Sequence, residues 1–93
     1  MKQSARTKIY KQAVEKWGEP LQIIMFMEES AELTKLLTKY LRNGSFWFND
    51  VLEELADVSI IIEQLRLMFK ISKVDINLMK ERKLNRLKDR LKD

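Results

Sequence analysis

Val51-Leu52-Glu53-Glu54-Leu55-Ala56-Asp57-Val58-Ser59-Ile60-Ile61-Ile62-Glu63-Gln64-Leu65 is the stretch whose reading decides the fold. Its apolar residues recur at spacings of three and four, with Val51, Val58, Ile61 and Leu65 on one stripe, and no run alternates with period two. That periodicity predicts a helix from Asn49 or Asp50 to about Phe69 or Lys70. Its middle, Ala56 to Ile62, is apolar on more than one side, the pattern of a helix covered on several faces. An interface between copies of the chain is therefore expected there.

The same reading extends outward in both directions. Downstream, Ser72 followed three positions later by Asp75 has the spacing of a capped helix start, and that helix should continue close to the C-terminus. Upstream, Phe46-Trp47-Phe48 forms an aromatic connector, with Asn49 or Asp50 expected to cap the helix and Asp50 and Glu53 at capping-box spacing. Asn43-Gly44-Ser45 has turn chemistry and closes a helix that begins near Pro20, a residue suited to a first helical turn. A first helix, from about Ala5 to Trp17 with Ile9, Ala13 and Trp17 on one face, should stop at Gly18. The expectation is one all-α domain over residues 1–93, a four-helix bundle. A chain of this length buries only about 60 to 65% of its unfolded surface, so homo-oligomerisation, to a dimer or a tetramer, is expected to complete the bundle.

Composition removes whole classes of chemistry. With no histidine and no cysteine, the chain holds no imidazole base, thiolate nucleophile, disulfide or His- or Cys-ligated metal. A metal bound by this chain has oxygen ligands, which points to magnesium, manganese or calcium. The basic N-terminus lacks a following apolar segment, so no secretory signal is visible and a cytoplasmic location is expected. Val58 to Phe69 is interrupted by Glu63, Gln64 and Arg66 and is too short to span a bilayer. The net charge of +4 is uneven: seven bases (Lys80, Arg82, Lys83, Arg86, Lys88, Arg90, Lys92) stand against Glu81 and Asp89 in the last helix. Such a helix is either a solvated face or a surface for phosphate.

Acidic residues carry the sharper signal. Glu28-Glu29-Ser30-Ala31-Glu32 and Glu53-Glu54-Leu55-Ala56-Asp57 lie on successive helices, and their neighbours at three and four positions are mostly apolar or acidic; only Glu32 has a base, Lys35. By helical phase Glu29 and Glu32 fall on the side of Met25 and Leu36, Glu54 lies within the Val51 stripe, and Asp57 lies at its edge. Like charges on an apolar face repel and are costly to desolvate unless something positive lies between them. Glu53 and Glu54 also sit in a first turn, where carboxylates favour the helix dipole, but Glu29 and Glu32 are well inside their helix. Four inward carboxylates from facing helices are how bundles build oxygen-ligand metal sites, and Glu29, Glu32, Glu54 and Asp57 are the expected ligands. Magnesium bound by a few carboxylates suits phosphate chemistry.

An ExxE pair followed about twenty residues later by an ExxD pair resembles the MazG-like superfamily of all-α nucleoside triphosphate pyrophosphohydrolases, particularly its short phage and bacterial members. Glu28-Glu29-Ser30-Ala31-Glu32-Leu33 looks like the family's EExxEL and Glu53-Glu54-Leu55-Ala56-Asp57-Val58 like its EELADV. Trp17-Gly18 with Gln22, Glu63-Gln64-Leu65 and Lys83-Leu84-Asn85-Arg86-Leu87 extend the likeness, which runs from about Trp17 to Arg90. The resemblance implies magnesium-dependent cleavage of a (d)NTP between the α and β phosphates, giving the monophosphate and pyrophosphate, with manganese as a possible substitute and nucleotide-pool house-cleaning as the role. It makes Glu29, Glu32, Glu54 and Asp57 metal ligands and gives Glu53 and Glu28 a place in positioning water or a second metal, the alternative for both being an exposed helix charge. Lys83 and Arg86 look like the family's phosphate-binding pair, with Lys80, Arg82 and Arg90 competing for that role. Trp47 or Phe46 can stack on a base or plug the bundle, and Gln22 can read a base edge or cap the core. An alternative reading is a non-catalytic helical oligomer that binds nucleic acid or a regulatory partner through its basic C-terminal helix.

Overall fold

Three helices account for the chain in a computed structural model that describes residues 1–92: α1 (Gln3–Asn43), α2 (Phe48–Met68) and α3 (Lys73–Leu91), with no strand among the described residues. The two helices expected before the connector run on as one element broken at a single residue. Gly18 holds φ 78° and ψ 169° there, and Pro20 follows within the helix. A positive φ of this kind is open to glycine at no steric cost, and a proline two residues later has no N–H to leave unpaired near the break. The break redirects the first arm of α1. Met1, Gln3, Arg6, Ile9 and Tyr10 line a groove whose other wall is Ala56, Ser59, Ile60 and Glu63 of α2.

The second arm of α1 ends as its turn chemistry predicts. Gly44 takes a left-handed conformation (φ 74°) and its N–H donates to the Tyr40 carbonyl at 2.8 Å, while the Asn43 Oδ1 accepts from the Ser45 N–H at 3.0 Å. α2 folds back antiparallel after this short connector. It starts at Phe48, earlier than the expected Asn49 or Asp50, and Trp47 at the N-cap makes no side-chain cap. Edge-to-face contacts from Tyr40 to Phe46 and from Phe46 to Phe48 hold the corner instead, leaving Asp50 in the first turn, where it favours the helix dipole. Phe46, Trp47 and Phe48 are all more than half exposed, so within one chain they do not plug the bundle.

Arg66 organises the other end of α2. Its Nε donates to Glu63 Oε2 at 2.9 Å and its guanidinium donates to the Ile71 carbonyl at 2.7 Å, while the Ile71 N–H donates back to the Arg66 carbonyl at 2.9 Å. Lys70 is held in the left-handed region (φ 58°) by this closure, a place usually taken by glycine. Ser72 then caps α3 as expected, its Oγ accepting from the Asp75 N–H at 3.0 Å.

Among the described residues, helix packing joins α1 to α2 alone; α3 packs on neither. The buried apolar residues are Ala13 and Ile61, and the buried polar ones are Gln22, Gln64 and Arg66. The radius of gyration is 16.1 Å, against about 12 Å for a compact domain of this length. No helix is long and apolar enough to cross a membrane among the described residues.

Candidate metal centre

Glu29 stands on the second arm of α1, and Glu54 and Asp57 stand one turn apart on α2. Antiparallel pairing brings one carboxylate oxygen from each of the three within 4.8 Å of one another. Glu29 and Glu54 are half-buried and Asp57 is exposed, so the group opens to solvent on one side. None of the three forms an ion pair, the described ion pairs being Arg66 with Glu63 and Lys92 with Asp89.

This convergence raises the Glu29 carboxyl from the usual 4.5 to about 7, through its hydrogen-bonding proximity to Glu54, through burial, and through the charge of Asp57. Ionised carboxylates only accept hydrogen bonds. The pair Glu29 and Glu54 is therefore satisfied by a shared proton or by a cation, and with neither, the buried Oε2 of Glu54 has no partner. That orphaned oxygen and the all-oxygen donor set fit a hard divalent cation.

Glu32, one turn beyond Glu29, is exposed and outside the group of three. Glu28 and Glu53 are exposed beside it. Lys83 and Arg86 are exposed on α3, which brings neither into an ion pair with the carboxylates among the described residues. Trp47 is 61% exposed. Gln22 is completely buried, yet neither its Nε2 nor its Oε1 has a hydrogen-bond partner. Such a group is costly in a core and rare among native structures.

Gln64 is the residue the sequence reading passed over. It is buried and its Oε1 also lacks a partner. A signal for it was present in the spacing: Gln22 precedes Glu29 by seven residues and Gln64 follows Asp57 by seven, two helical turns that keep each amide on the side of its acid. Antiparallel helices place both amides on the same side of the carboxylates, about 10 Å along the axis at 1.5 Å per residue. The two helices thus carry acids at one level and unpartnered amides two turns away.

Comparison with protein-family models, with curated protein sequences and with solved structures gives no match to this chain.

Proposed function

We propose that this protein is a magnesium-dependent nucleoside triphosphate pyrophosphohydrolase of the MazG-like kind, working as a homo-oligomeric bundle in the cytoplasm. One observation carries the reading: Glu29, Glu54 and Asp57 converge from two helices with no base among them. Such an arrangement opposes folding unless a cation belongs there. Glu29, Glu54 and Asp57 would hold the metal, with Glu32 as the further ligand that its motif position suggests. A bound magnesium ion supplies positive charge to the triphosphate.

In the reaction a water oxygen bonds to the α phosphorus and the bond from that phosphorus to the α–β bridging oxygen breaks, giving a monophosphate and pyrophosphate. Glu53 or Glu28, exposed beside the cluster, accepts the proton released by the water. Lys83 and Arg86 bind the phosphates, Arg86 in a bidentate manner and Lys83 as a point charge. Gln22 offers a donor and an acceptor to a base edge, and Trp47 offers an exposed ring for stacking.

Pyrophosphate release from a panel of standard and modified (d)NTPs, with and without magnesium, tests the proposal. Glu54→Gln should lose at least about 100-fold in activity, since even outer-shell changes around metals cost 10- to 100-fold, and should bind magnesium more weakly. No release from any nucleotide, together with unchanged metal binding by Glu54→Gln, would sink it.

The non-catalytic reading draws on α3, which packs on neither α1 nor α2 among the described residues. It predicts nucleic-acid binding that weakens steeply with salt and is indifferent to Glu54→Gln.

A further inference from the structure

Two buried amides, Gln22 and Gln64, lie where α1 and α2 pack and are not satisfied by the chain. Gln22 is fully covered and Gln64 is 7% exposed. The atoms without a partner among the described residues are Nε2 and Oε1 of Gln22 and Oε1 of Gln64. A polar atom buried in this way opposes folding and is rare in native cores. Two such side chains at one level of a helix pair point to a ligand.

Helical phase places the amides at a seam. On α2, Gln64 lies two turns from Asp57, on the side that meets the second arm of α1, and it also lies one turn beyond Ile60. Ile60, with Ala56 and Tyr10, lines the groove between the first arm of α1 and α2, a space of about 640 Å³ within the range of small-ligand sites. Gln64 therefore stands where that groove approaches the interface holding Gln22. The carboxylates are about 10 Å away along the axis, two turns at 1.5 Å per residue. A nucleoside spans a comparable length from its 5′ phosphate to the far edge of its base.

The set of free donors and acceptors selects among bases. Gln22 offers one acceptor and one donor group, and Gln64 adds a second acceptor. Two acceptors beside one donor fit a base edge that carries two N–H bonds and one acceptor. Cytosine, adenine and guanine present such an edge through their exocyclic amino group. In cytosine the two N4 hydrogens would meet the two Oε1 atoms while N3 accepts from Gln22 Nε2. Uracil, thymine and hypoxanthine have a single N–H at the corresponding edge, so one buried oxygen is left without a hydrogen, and a site built to bond an N–H rejects a base lacking it.

We infer that Gln22 and Gln64 together read the base, and that the site takes nucleotides whose base carries an exocyclic amino group in preference to those with uracil, thymine or hypoxanthine. The inference rests on the function proposed above and adds Gln64 to it as a specificity-determining residue.

Calorimetric titration with magnesium and non-hydrolysable α,β-methylene nucleotide analogues tests this without a catalytic readout. The matched comparisons are dCTP against dUTP, and dATP and dGTP against dITP. In at least one of them the amino-bearing member should bind at least about tenfold more tightly, in line with one unmade hydrogen bond to a buried acceptor. Gln64→Leu should lose that preference, and Gln64→Met, unbranched and apolar, carries the same test if the leucine variant does not fold. A glutamine with a merely structural role would leave the ratio unmoved. Equal binding within every comparison, tighter binding of the member without the amino group, no binding of any analogue, or a preference that survives the Gln64 substitution overturns the inference. Pyrophosphate released equally from all these nucleotides removes the specificity and leaves the catalytic reading standing. A Gln64-dependent preference among the analogues, with no release from the natural nucleotides, does the reverse.

Discussion

Glu29 concentrates the electrostatic tension of the molecule in one carboxyl group. Raised from 4.5 to about 7, it binds a proton more tightly in the folded state than in the unfolded one. The stabilising effect of that proton is fully present below about pH 4.5 and is lost as pH rises through about 7. The metal-free protein should therefore lose thermal stability between pH 5 and pH 7.5 in differential scanning calorimetry, and Glu29→Gln should flatten that slope. Magnesium should reverse the loss, with proton release on binding that calorimetry in buffers of different ionisation enthalpy detects near pH 6.5. Gln22 poses a second residue-scale test, because its amide is buried without a partner. Gln22→Leu removes an unsatisfied group, so urea unfolding should show a gain of about 1–2 kcal/mol. If the amide reads a base edge, kcat/KM should fall about tenfold in the same variant, equivalent to about 1.4 kcal/mol of lost binding; a purely structural glutamine would leave it unchanged. Glu29 and Glu54 were legible as an anomaly in the sequence because their helical neighbours are apolar or acidic. The amide of Gln64 was not, since a glutamine beside an apolar stripe usually finds a partner and only packing shows that this one does not.

Among the elements, the ends of the helices follow rules of differing strength. Ser72 and Gly44 behave as their chemistry requires, because a hydroxyl at an N-cap and a glycine at positive φ each satisfy a local need without help from elsewhere. The start of α2 does not follow its capping-box spacing. There the aromatic contacts through Phe46 fix the corner, and long-range ring packing is invisible to a local rule. Lys70 is a further departure, a side chain held at φ 58° by the closure of Arg66 on Ile71. Lys70→Gly should raise stability by about 1 kcal/mol, the typical cost of a non-glycine residue in that conformation, and chemical denaturation at constant m-value measures it. Gly18 shows the opposite case: the break was readable from Gly and Pro together, but the direction in which it sends the first arm of α1 follows from where that arm meets α2.

For the whole molecule, the deciding quantity is exposed area. A single chain with so few buried apolar residues and an unpacked α3 has little to set against its conformational entropy. Its stability should then depend on its own concentration. The midpoint of thermal unfolding should rise by several degrees between about 1 µM and 100 µM, as mass action requires when only the folded state associates; a midpoint independent of concentration would mark a self-sufficient monomer.

By itself the sequence determined that the chain is helical, where its turns fall, that a metal held by its side chains would have oxygen ligands, and which acids lie on the apolar faces. These follow from periodicity, composition and local capping, all of which act within a few residues. Tertiary structure alone decided that Glu29, Glu54 and Asp57 meet while Glu32 stays outside, that Gln22 and Gln64 are buried without partners, and that α3 stands apart from the helices it follows. The reason is physical: helical phase tells which way a side chain faces, whereas the meeting of two faces depends on the axial offset between helices, which packing across the whole interface sets.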